Sequence, residues 1–150
     1  MTAFETITDT DLPERLRLAV TRLARRLRQQ SGVDTSPTQM SALATIGRLG
    51  PMTLGELAGA ERVQPPTITA AVGRLEAQGY VVRRPDEQDR RIVRVEVTSA
   101  GRKLLARNRS RKTAYLAKRL RALSPRERAT LTEATEILDR LLEPDASETS

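Results

Sequence analysis

The chain has 150 residues, 26 basic and 19 acidic side chains, a formal net charge of +7 and only three aromatic residues. That length supports one domain with a core of Leu, Val, Ile and Ala, and the basic balance favours a polyanionic partner. With no Cys and no His, disulfides, thiolate metal sites and the commonest general base are excluded, so neither a metal, a cofactor nor an enzyme is expected.

The N-terminus, MTAFETITDTDLPERL, lacks the basic-then-apolar order of a secretion signal. No apolar run approaches the roughly 20 residues of a membrane span. A cytoplasmic protein without membrane contact is expected. Leu12, Leu16, Ala19, Val20, Leu23 and Leu27 recur at helical spacing among arginines, which predicts an amphipathic helix over 11–30. Ser36-Pro37-Thr38-Gln39 reads as a capping box with Pro at the first helical position. It predicts a helix over 37–49, ending at Gly50-Pro51. A second box, Thr53-Leu54-Gly55-Glu56, starts a short helix over 54–60, and a brief turn leads to a helix over 65–78.

In RVQPPTITAAVGRLEAQGY, residues 62–80, a helical wheel gathers Ile68, Ala71, Val72 and Leu75 on one face. Pro66, Ala70, Gly73 and Ala77 lie opposite, flanked by Thr67, Arg74 and Thr69. Gly and Thr cost about 0.5–1 kcal/mol each relative to Ala in a helix interior. A close approach explains the choice: small side chains let a helix settle in a major groove. Their methyls can meet thymine methyls, and Thr hydroxyls and Gln64 can reach phosphates or base edges. Pro65 and Pro66 pre-set the first turn, which makes Thr67 the first residue with a free N–H and presents the positive helix end to the duplex. The competing reading packs this small face against another helix of the same protein.

Val93, Val95 and Val97 alternate with Arg94 and Glu96, the period of a half-buried strand, and residues 80–84 are its partner. The hairpin carries Arg83, Arg84, Arg90, Arg91 and Arg94, with Asp86, Glu87 and Asp89 near its tip. An Arg on a narrow turn can enter a minor groove, with Asp89 holding a neighbouring guanidinium. A solvated salt-bridge cluster is the plainer alternative. Thr98 starts a helix over 99–123, whose nine basic residues include no acid among them. This run is either a DNA-facing flank, a partner for the acidic segment that follows, or a solvated face. Ser124-Pro125-Arg126-Glu127, a third box, opens a helix over 125–142 with Leu131, Ala134, Leu138, Leu141 and Leu142 on one side. Residues 143–150 read as a frayed tail.

Two short helices joined by a turn and followed at once by a hairpin spell a winged helix-turn-helix. The fold class is therefore mainly α with a small β-hairpin wing: a winged lobe over 37–98 and a helical lobe from 11–30 and 99–142. Leu12, Leu16, Leu23, Leu131, Leu138, Leu141 and Leu142 are more apolar surface than that small lobe can cover, which points to a homodimer.

The run LGELAGAERVQPPTITAAVGRLEAQGYVVRRPDEQDRRIVRVEVTSAGRKLL resembles the winged-helix core of the MarR (multiple antibiotic resistance regulator) family. The matching features are Leu54–Glu56–Leu57, the R-L-E-x-x-G-Y close from Arg74 to Tyr80, the D-x-x-D-R-R wing from Asp86 to Arg91, and T-x-x-G from Thr98 to Gly101. Flanking helices extend the likeness to nearly the whole chain. It implies an obligate homodimer with intertwined first and last helices, a pseudo-palindromic double-stranded DNA operator and usually repression. It also implies release by a small lipophilic or aromatic effector held between the dimer helices and the winged lobe. By that likeness Arg91 is the minor-groove arginine and Asp89 its positioning acid. Ala70 stands where the family often has a long basic residue, and Gly73 where an acid is frequent, so base readout leans on shape and methyl contacts.

The candidate DNA contacts are thus Thr53, Gln64, Pro65, Pro66, Thr67, Thr69, Ala70, Arg74, Arg84, Asp89, Arg90 and Arg91. The expected function is a ligand-responsive, dimeric transcriptional repressor. An effector-independent architectural DNA binder and a winged-helix protein-docking module are the alternatives.

Overall fold

The computed structural model describes residues 11–32 and 35–144. Within them the chain forms α1 (Leu12–Arg28), α2 (Pro37–Leu49), α3 (Leu54–Glu61), α4 (Pro65–Ala77), β1 (Val81–Pro85), β2 (Val93–Val97), α5 (Ser99–Leu120) and α6 (Pro125–Leu142). The predicted frayed tail lies, from residue 145 on, outside the described residues. The helices predicted over 11–30 and 99–123 are shorter at their ends, because their last residues tighten into turns with bonds three residues apart, Gln30 N–H to Leu27 O at 3.0 Å and Ala122 N–H to Arg119 O at 3.2 Å.

The chain divides into two compact units, 1–112 and 113–150, with the boundary inside α5. In the first unit, Leu43 and Ile46 of α2, Leu57 of α3, Ile68, Val72 and Leu75 of α4 and Val95 of β2 are fully buried. Leu104 and Leu105 of α5 join the same core. A core drawn from one stripe of each short helix explains how so few aromatics suffice: aliphatic side chains interdigitate across elements only about 10 Å apart. In the second unit, α6 has no buried residue, and Arg119 lies 5.1 Å from the centre of the Tyr115 ring.

β1 and β2 pair antiparallel in the register Val81↔Val97 through Pro85↔Val93. Met52 adds an isolated bridge to Val95, with Val95 N–H donating to Met52 O at 2.8 Å and Met52 N–H donating back at 3.2 Å. One residue between α2 and α3 thereby ties the wing to the helix-turn-helix. Sequence periodicity could not show it, since a single bridging residue has no period.

The three predicted capping boxes close to different degrees. Ser124 is complete: its hydroxyl accepts from Glu127 N–H at 3.1 Å and the Glu127 carboxylate accepts from Ser124 N–H at 2.7 Å. The Ser36 and Thr53 hydroxyls accept from Gln39 and Glu56 N–H at 3.2 and 3.1 Å. Their return arms do not form. Gln39 is buried, and Glu56 pairs instead with Arg94 at 3.4 Å. A return bond on a solvated helix end is weak enough for a tertiary partner to replace it.

Candidate nucleic-acid interface

Between α3 and α4 the chain turns on Arg62, the one non-glycine residue with positive φ among the described residues, at 52°. The turn is held by Arg62 N–H to Gly59 O at 3.2 Å and Val63 N–H to Ala58 O at 3.1 Å. Glu61, just before it, accepts from the Ser41 hydroxyl at 2.5 Å and from the Thr45 hydroxyl. This tether of the turn to α2 was not legible in the sequence, because its partners lie 16 and 20 residues away.

The outer face of α4 is open. Gln64, Pro65, Pro66, Thr67, Thr69, Ala70, Arg74 and Ala77 are exposed, whereas Ile68, Ala71, Val72 and Leu75 are buried. A Cβ added at Gly73 would meet nothing within 4 Å. The small face is therefore not packed against another helix of its own unit. Two expectations at this helix need correction. Thr67 N–H is not free: it donates to Gln64 O at 3.0 Å, and Ile68 N–H donates to the same oxygen at 3.3 Å. With Pro65 and Pro66 lacking N–H groups, the first turn offers no free backbone donor, so a helix-terminus anion site does not form. The Thr69 hydroxyl donates to Pro65 O at 2.9 Å, which leaves its oxygen as an acceptor and removes it as a phosphate donor.

α4 ends on Gly79 (φ 80°), with Tyr80 N–H donating to Leu75 O at 2.9 Å and Gly79 N–H to Glu76 O at 3.0 Å. This is the geometry that requires glycine in the R-L-E-x-x-G-Y pattern. From it the chain enters β1, and Arg83 pairs with Glu76 at 3.1 Å, joining wing to α4.

At the wing tip, Ile92 N–H donates to Asp89 O at 3.0 Å, which places Arg90 and Arg91 in the middle of a tight turn. Arg91 donates to both Asp89 oxygens, Nε to Oδ1 at 3.0 Å and an Nη to Oδ2 at 3.1 Å. Its side chain is nonetheless 91 % exposed. Side-chain and backbone hydrogen bonds from Arg91 hold the Asp89 carboxyl below its ordinary pKa. Asp86 anchors the base of the tip: it accepts from Arg94 Nε at 2.7 Å and from Gln88 and Asp89 N–H. Arg94 foremost, then those N–H groups, lower its pKa. Arg84 is paired with Glu96 at 2.6 Å, while Arg90 is exposed and makes no ion pair among the described residues. Thr53 is half-buried beneath α3 as its cap. The Glu56–Arg94–Asp86 chain was missed because Glu56 already had a local role as a cap. Arg94's outward position on an alternating strand was the available signal.

The predicted dimer residues are uncovered. Leu12, Leu23, Leu131, Leu141 and Leu142 are 54, 48, 44, 67 and 82 % exposed, and Leu16 and Leu138 are half-buried. Among the described residues no group of His, Cys, Asp or Glu could hold a metal ion, and no helix is long and apolar enough to cross a membrane.

A helix-turn-helix with an exposed second helix and an arginine-tipped hairpin defines a winged-helix DNA-binding fold. The MarR family model matches residues 35–93. An HTH-type transcriptional regulator of Mycobacterium tuberculosis is 38 % identical over 136 residues, which span 90 % of this chain and 95 % of that protein. The apo structure of wild-type MarR from Escherichia coli aligns with a TM-score of 0.73 and 25 % identity, covering 87 % of this chain and 96 % of that one. A mutant of Staphylococcus aureus MepR bound to an oligodeoxyribonucleotide has the same fold, with a TM-score of 0.67, 21 % identity, and 87 % and 97 % of the two chains covered. The chain belongs to the MarR family of HTH transcriptional regulators.

Proposed function

We propose that the protein is a homodimeric repressor that places α4 in the major groove of a pseudo-palindromic operator and the wing, residues 84–91, in the adjacent minor groove. The observation that carries the reading is the Asp89–Arg91 clamp: a guanidinium fixed by two hydrogen bonds yet 91 % exposed. An arginine so held loses little conformational freedom when it enters a groove. Major-groove contacts come from the low-relief face of Thr67, Thr69 and Ala70, with Gln64, Pro65 and Pro66 at its leading edge and Arg74 beside it toward α2. Ala70 and the Thr methyls suit thymine methyl groups. Arg84, Arg90 and Thr53 lie at the flanks, nearest the sugar-phosphate backbone. The oligonucleotide-bound relative supports the same partner.

The apolar stripes of α1 and α6 are the proposed dimer surface, since neither helix has a buried residue in the single chain. A two-fold axis would set two α4 helices about 10 bp apart. A cleft of about 400 Å³ between α2 and α5 supports effector control. Leu105 lies on its apolar side, and Arg48, Arg102, Arg109 and Lys112 at its rim suit a small amphipathic anion. Cytoplasmic residence accords with this role. Selection of bound duplexes from random DNA at two salt concentrations tests the reading. A two-fold-symmetric motif is expected, whereas equal binding of all sequences would make the protein an architectural binder.

A further inference from the structure

We propose that the first turn of α2 is a second contact surface for the DNA backbone, and that Gln39 positions Arg74 to serve it. This rests on the DNA-binding reading above.

Gln39 is only 4 % exposed, and its side-chain oxygen has no hydrogen-bond partner among the described residues. A buried acceptor without a donor costs stability and calls for a reason. The same residue lines a cleft of about 400 Å³ that joins Ser36, Thr38 and Gln39 of α2 to Thr67, Ala70 and Arg74 of α4. Arg74 is exposed, and among the described residues its guanidinium has no partner. One cleft therefore holds a buried acceptor lacking a donor and a five-donor cation lacking an acceptor.

The hydroxyls at the mouth complete the set. Ser36 Oγ accepts from Gln39 N–H, so its proton is free to donate outward. Thr38 is half-buried beside it. Two hydroxyl donors and a guanidinium suit a phosphodiester, whose unesterified oxygens only accept. The Gln39 oxygen cannot meet a phosphate, since both are acceptors. It can take the N–H groups on the other edge of the Arg74 fork. Without DNA the guanidinium is better solvated outside. Once a phosphate neutralises its charge, the cost of drawing it into the cleft falls and the Gln39 oxygen gains its donor.

The test uses the full-length chain and a duplex that it selects from random DNA. Gln39→Met removes the unpaired oxygen while keeping the side chain's length. It should melt at or above the wild-type temperature yet bind that duplex about tenfold more weakly. Arg74→Ala should weaken binding about tenfold and reduce the salt slope by about one phosphate contact. The double variant should bind no worse than Arg74→Ala alone. Thr38→Val, which keeps shape and loses the hydroxyl, should also weaken binding, and it decides the matter if Gln39→Met does not fold. Wild-type affinity in Gln39→Met or in Thr38→Val, or losses that multiply in the double variant, would overturn the proposal. Failure to select any duplex would instead sink the DNA-binding reading beneath it.

Discussion

A methyl group on Gly101 would sit 2.2 Å from the carbonyl oxygen of Tyr80 and 2.7 Å from Val97 Cγ1. The first turn of α5 is thus laid against the exit from α4, and Thr98 secures the crossing. Its hydroxyl donates to Gly79 O at 2.6 Å and accepts from Gly101 N–H at 3.1 Å, while its own N–H donates to Tyr80 O at 3.0 Å. Gly101→Ala must move backbone, and a loss of about 1–3 kcal/mol is expected from overpacking. Urea denaturation measures it; unchanged stability would mean that α5 can shift freely.

Gly73 is the opposite case, with open space where a side chain would go. Gly73→Ala should stabilise the free protein by about 0.5–1 kcal/mol through helix propensity. The same change should leave operator affinity equal or lower, because any added bulk lies on the face proposed to enter the groove. Calorimetry and fluorescence anisotropy separate the two effects. Tighter binding would show that α4 does not approach the bases closely.

Arg91→Ala should cost about 1–3 kcal/mol of operator binding without changing the oligomeric state. Asp89→Asn keeps the guanidinium but removes the charge that orients it, so a smaller loss is expected. If the Asp89 variant loses more than the Arg91 variant, Asp89 has a role beyond positioning.

The wing's ion pairs set a pH expectation. Asp86 and Asp89 both titrate below the ordinary value of 3.8. A depressed carboxyl stabilises the folded state above its unfolded pKa and loses that contribution as pH falls through the lower folded value. The chain has no His, so DNA affinity should be flat between about pH 5.5 and 8. An inflection in that window would reveal a titrating group outside the wing.

Leu141 is 67 % exposed on α6, so a charge there leaves the single chain undisturbed. Leu141→Glu should raise the dimer dissociation constant at least about tenfold if this face is buried between copies. Sedimentation velocity reads the change; an unaltered dimer would remove α6 from the interface.

Local order was legible because its causes are local. Proline at a first helical position, hydroxyl caps at Ser36, Thr53 and Ser124, and a 3.6-residue apolar period fix helix starts within a residue or so. The split of α4 into a buried Ile68–Ala71–Val72–Leu75 face and a small-residue face followed from the same period, and the valine alternation located β2. The partner of each polar side chain was decided elsewhere. Gln39 and Glu56 are equivalent in their boxes, yet one enters the cleft beside α4 and the other turns to Arg94. The Met52–Val95 bridge and the two hydroxyls on Glu61 likewise join residues far apart in the chain. Periodicity states which face a residue occupies. Which neighbour lies within hydrogen-bonding reach depends on how the elements cross, and only the tertiary structure supplies that.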